Sequence, residues 1–146
     1  KKEIFDDPTV YVNISCKDVS KDAPKNSENW FVMINVPRDR DQNWDTIISK
    51  SKKNIIAKIN RNFNVNLESL IEFEEVLDPR LIEKKTSSFQ GSLYGTSSNN
   101  KKSAFFRHPN FSRNINNLYF CGGSVHPGGG IPLALSSAKI LSELID

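Results

Sequence analysis

One stretch, residues 119–141 (YFCGGSVHPGGGIPLALSSAKIL), constrains this chain more than any other. It reads as strand, glycine-rich turn and helix. Leu118, Tyr119, Phe120 and Cys121 make a short apolar run, as in a strand buried on both faces. Gly122 and Gly123 end it. Gly128, Gly129 and Gly130 then permit close backbone approaches that a Cβ would block. Pro132 suits the first turn of a helix, where its missing N–H has no partner to lose. The spacing predicts a helix over residues 133–145, with Ala134, Ala138, Leu141 and Ile145 on one face.

Such a turn binds anions or dipoles. A helix start leaves unpaired N–H groups and carries about half a positive charge. Since Pro132 has no N–H, the expected outward donors are the amides of Gly130, Ile131 and Leu133. Phosphate, carboxylate or an electron-rich ring edge would suit them. The glycine spacing is neither G-x-G-x-x-G nor a P-loop, so neither of those nucleotide turns fits. A tight strand-to-helix connection without a ligand is the alternative reading of the same residues.

The residues from Asn117 through Gly122, Gly123, Ser124, His126, Pro127, Gly128, Gly129, Gly130, Ile131 and Pro132, ending in Ser137-Ala138-Lys139, carry a resemblance. They resemble the C-terminal motif of FAD-dependent carotenoid desaturases of the phytoene desaturase type, a flavin amine oxidase-like group that includes retinol saturases. Gly-Gly-Ser-Val-His-Pro-Gly-Gly-Gly-Ile-Pro-Leu is closer to the hydroxycarotenoid 3,4-desaturase branch. Gln90 to Gly95 and Phe105 to Pro109 resemble two further segments of the family, the second with His108 inserted. The likeness covers nearly the whole chain and is poorer at residues 1–9 and in the loops.

The resemblance implies FAD as cofactor and a carotenoid or other isoprenoid polyene as substrate. It implies hydride transfer from the polyene to flavin, or the reverse in saturases. Gly122, Gly123, Ser124, His126, Pro127, Gly128, Gly129, Gly130, Ile131 and Pro132 would form the cofactor side. Tyr94 and Phe106 would lie along the substrate path. His126 is the candidate catalytic base, because imidazole exchanges protons near neutral pH; a turn-shaping role for its ring is the alternative. The G-x-G-x-x-G unit with which the family begins is not in this sequence. The expectation is therefore the C-terminal portion of a longer two-domain enzyme. Residues 1–102 would belong to the substrate domain and residues 103–146 to the return into the FAD-binding domain. Alone, the chain would be inactive. A different class stays open, a non-catalytic lipid- or partner-binding module.

Elsewhere, alternation predicts strands over residues 9–16 and 30–36, each half-buried, joined as an antiparallel pair by a polar loop. A third strand is expected at residues 70–77. The longest helix candidate is 43–63, with Asn43 as N-cap and an apolar stripe of Trp44, Ile47, Ile48, Ile55, Ile59 and Phe63 facing a core. Asp78 and Pro79 should open a shorter helix. The fold class expected is α+β.

Composition narrows the functional classes. The chain has 146 residues, a net charge of +3, 37% hydrophobic and 25% charged residues. That is a polar globular chain, without the clustered basic footprint of a nucleic-acid binder. No apolar run approaches the ~20 residues of a membrane span. Cys16 and Cys121 fall inside expected strands and read as two buried thiols of a reducing cytoplasm rather than a disulfide or metal site. A carotenoid substrate would place the parent peripherally on a membrane.

Overall fold

A computed structural model describes residues 4–95 and 107–145. The chain is α+β, with helices and one small antiparallel sheet. It divides into two units, Lys1–Val76 and Leu77–Asp146.

In the first unit, β1 (Val10–Asn13) pairs antiparallel with β2 (Phe31–Ile34) in the register Val10 to Ile34 and Asn13 to Phe31. The long connection is closed by side chains. Asn29 donates from Nδ2 to Ser15 Oγ (2.7 Å) and accepts from the Cys16 amide (3.0 Å). Lys17 pairs with Glu28, which also accepts from the Trp30 indole at 2.7 Å. The half-buried pattern expected for these strands does not hold. Tyr11, Val12, Phe31, Val32 and Met33 are all exposed, so both faces of the ribbon are open. Each strand is also only four residues long, because Ser15–Lys17 turns into a 3-10 helix.

Helix α1 (Trp44–Phe63) starts where the sequence predicts. The Asn43 side chain accepts from the Thr46 amide at 3.1 Å, satisfying one of the orphan donors of the first turn. It ends at Asn64 in the left-handed conformation. Trp44, Ile56 and Ile59 are its buried residues. The stripe is shorter than expected, since Phe63 is exposed. The third strand expected at 70–77 is absent among the described residues. A 3-10 helix (Leu67–Leu70) is followed by irregular chain, with Phe73 83% exposed. Alternation alone cannot make a strand without a neighbour for its amides. Here the segment is held to α1 by side chains instead: Lys52 to Glu74 (2.5 Å) and Asn60 to Glu68 (2.8 Å).

In the second unit, α2 (Pro79–Thr86) opens as expected on Asp78, which caps the amides of Arg80 (2.7 Å) and Leu81 (3.2 Å). The 3-10 turn Phe89–Gly91 folds back onto Pro79. The strand expected at 118–121 is reduced to isolated bridges, Phe111 with Tyr119 and His108 with Val125. The Phe111–Tyr119 bridge is made by the Phe120 amide donating to the Asn110 carbonyl and the Ser112 amide donating to the Leu118 carbonyl (both 2.8 Å), and at its end the Asn110 side chain donates to the Phe120 carbonyl (3.2 Å). Neither cysteine lies in a strand. Cys16 is half-buried in a 3-10 turn and Cys121 is exposed. No helix among the described residues is long and apolar enough to cross a membrane.

Candidate functional site

The glycine-rich turn leads into α3 (Ile131–Ile145), which starts two residues before the expected 133. Gly130 supplies the first helical acceptor, its carbonyl taking the Ala134 amide at 2.9 Å. Pro132 sits in the first turn, as its missing N–H requires. The inward face differs from the one expected. Ala138 and Ile145 are exposed; Ser137 is fully buried, flanked by the half-buried Ala134, Ile140 and Leu141. A serine at the centre of the stripe breaks the apolar pattern, which is why periodicity misplaced the face.

The turn is built around close approaches. A Cβ on Gly129 would lie 2.6 Å from Cδ1 of Tyr94, and one on Gly123 would lie 3.6 Å from the same atom. The Tyr94 ring therefore packs against the glycine backbone, although Tyr94 as a whole is 57% exposed. The Arg107 guanidinium lies along Gly128, whose φ of +139° suits glycine, and donates to the Tyr94 carbonyl at 3.0 Å. Ser124 meets the neighbouring Gly95. By contrast, a Cβ on Gly122 or Gly130 would touch nothing within 4 Å. These two positions present open backbone.

His126 is held by its main chain. Its amide donates to the His108 carbonyl (2.9 Å) and its carbonyl accepts from Asn110 Nδ2 (3.0 Å). Its ring is exposed and has no hydrogen-bond partner among the described residues. The peptide to Pro127 is cis. Ile131 is 80% exposed at the helix start. The amides of Gly130, Ile131 and Leu133 meet no acceptor among the described residues. Phe106 lies outside the described residues. Tyr94, Gly123, Ser124, Gly128 and Gly129 thus lie in one cluster, while Gly122 and Gly130 have open space where a Cβ would stand and Ile131 is exposed.

Asn110 and Ser137 tie Phe120, Gly122 and His126 of the turn to α3, and sequence reasoning gave neither a role at the site. Asn110 Nδ2 is 2.8 Å from Ser137 Oγ, which also accepts the Gly122 amide at 3.1 Å. The signal available was a serine inside an apolar helical stripe. For Asn110 there was none. Among the described residues no three His, Cys, Asp or Glu side chains gather as a metal site would need.

An open backbone beside unpaired helix-start amides, with a guanidinium nearby, can receive a flat electron-rich ring or a phosphate. The comparisons bear on which. No protein-family model matches the chain. Over 144 residues it is 60% identical to the 1-hydroxycarotenoid 3,4-desaturase of Flavobacterium sp. (strain P99-3), a match covering 99% of this chain and 30% of that protein. Over 147 residues it is 35% identical to the 4,4'-diaponeurosporene oxygenase of Staphylococcus aureus (strain MSSA476), covering 100% of this chain and 30% of that protein. The chain spans about 30% of the length of these curated relatives. The similarity therefore runs over nearly all of this chain and over one part of a carotenoid desaturase and a carotenoid oxygenase.

Proposed function

We propose that this chain supplies one side of the cofactor site, and part of the substrate path, of an FAD-dependent oxidoreductase that desaturates a carotenoid or other isoprenoid polyene. The observation that carries the reading is the 60% identity, over 99% of the chain, to a protein named as a hydroxycarotenoid desaturase. The open backbone at Gly122 and Gly130 fits the cofactor, since side chains there would fill the space it needs. FAD, when bound, accepts the hydride removed from the polyene.

The chain's own residues would do the rest. Gly122 would let the main chain come close to the cofactor's ribityl and pyrophosphate portion, with Gly123 packed behind it against Gly129 and Tyr94. The amides of Gly130 and Ile131 donate toward negative charge at its ring edge, where a fixed dipole costs no reorganisation. Tyr94 and Phe106 supply apolar surface for the polyene and exclude water. The His126 imidazole takes the proton that leaves the carbon next to the hydride donor. Residues 1–102 serve the substrate domain and 103–146 the cofactor domain, and the assembled protein meets its substrate at a membrane surface.

The test is FAD titration by flavin fluorescence, on this chain and on a longer polypeptide carrying its upstream sequence. Tight binding by the longer form alone is the expected result and marks a divided site. Tight binding by this chain alone would overturn the division. No binding by either would overturn the flavin reading and favour a non-catalytic module.

A further inference from the structure

The bonds around Asn110 and Ser137 do more than satisfy buried groups. Asn110 is 4% exposed and Ser137 is 0% exposed. The Asn110 Nδ2 reaches three acceptors on three different segments: the Phe120 carbonyl before the turn (3.2 Å), the His126 carbonyl within it (3.0 Å) and Ser137 Oγ on α3 (2.8 Å). Ser137 Oγ then receives the Gly122 amide (3.1 Å). Gly122 is one of the two open backbone positions. The other, Gly130, is the residue on which α3 starts. Ser137 belongs to α3. Its hydroxyl therefore fixes Gly122 relative to the same helix that carries Gly130 and Ile131. An apolar pair of equal volume would fill the space without setting that relation, because packing is non-directional and hydrogen bonds are not.

We propose that Asn110 and Ser137 are positioning residues that set the open backbone of Gly122 against the amides of Gly130 and Ile131 before a ligand arrives. The proposal rests on the flavin-site reading. Neither side chain needs to touch the cofactor. Their effect is preorganisation: the turn loses less freedom on binding, and its amides stay aimed at the ring edge.

The decisive variant is Ser137→Ala. It adds no volume and favours helix, so α3 is retained. Three readings are expected. The Gly122 amide of this chain, without flavin, exchanges its hydrogen faster by NMR. FAD affinity of the longer polypeptide falls by about tenfold, the scale of one lost buried hydrogen bond. The potential of the bound flavin moves negative, because displaced amides stabilise the reduced ring less. A purely structural role would lower the melting temperature and leave the potential of bound flavin in place. Asn110→Asp, which turns an oxygen toward the Phe120 and His126 carbonyls, should act in the same direction. Should it fail to fold, Ser137→Ala decides alone. Unchanged affinity and potential in a longer polypeptide that does bind FAD would overturn the proposal and spare the flavin reading. Absence of FAD binding by the unaltered protein would sink the flavin reading instead. The Gly122 exchange rate then still decides, and an unchanged rate ends the positioning role.

Discussion

The Tyr94 ring lies over Gly129 so closely that a methyl at that glycine would sit 2.6 Å from Cδ1 and 3.0 Å from Cγ. Both atoms are near the root of the side chain, so the ring cannot yield by swinging its tip. Gly129→Ala should therefore destabilise the second unit by about 1–3 kcal/mol, the usual cost of overpacking. Tyr94→Ala alone should cost less, because the ring is more than half exposed. The double variant should recover most of the Gly129→Ala loss, giving a coupling of about 0.5–3 kcal/mol in a double-mutant cycle. Additive losses in urea denaturation would contradict the contact.

Asp78 gives the pH dependence. Its carboxylate accepts from Arg80 Nε (3.1 Å) and Nη2 (2.8 Å), and from the amides of Arg80 and Leu81. The Arg80 side chain first, and then the two amides, hold its pKa below the ordinary 3.8. A depressed folded pKa means that the charged form is favoured by folding. The stability it contributes is fully present above the unfolded value and is lost as pH falls through the folded one. Asp78→Asn keeps a capping oxygen but removes the charge. Unfolding free energy measured from pH 5 downward should fall more steeply in the native sequence than in that variant. Parallel curves would mean that the Arg80 pairing does not matter.

Asn43 caps the longest helix through one side-chain bond to the Thr46 amide. Asn43→Ala should cost about 1 kcal/mol and Asn43→Gly only a few tenths. Trp44 is buried in the first turn of that helix, so its fluorescence reports this transition directly. Equal losses for alanine and glycine would argue against a side-chain cap.

The helices were legible because their signals are local. Asn43 and Asp78 mark helix starts through capping bonds made within three residues, Pro132 through a missing N–H that the first turn does not need, and all three act as read. The strands were not legible to the same degree. Residues 70–77 and 118–121 have strand composition, but a strand needs a partner elsewhere in the chain, and alternation says nothing about the partner. The glycine cluster was legible as a turn. Which glycines lie under Tyr94 and which stay open was not, since that depends on a ring from a distant segment. Ser137 was hidden for a related reason. A buried hydroxyl is acceptable only beside its partners, and Asn110 stands 27 residues away.

His126 gives the sharpest test of the proposed chemistry. Its amide and carbonyl are both engaged, by His108 and Asn110, and these bonds shape the turn. Its ring is exposed and takes no part in them among the described residues. The two functions of the residue, holding the turn and moving a proton, are therefore separable by substitution. His126→Gln keeps the backbone and a polar side chain but cannot cycle a proton. As general base, His126 should be worth about 10²–10⁴ in kcat. In the longer polypeptide the variant should lose activity on that scale with KM and FAD affinity unchanged. A loss of FAD affinity or melting temperature with kcat preserved would assign the ring to the turn instead. The proton would then have to leave through another group.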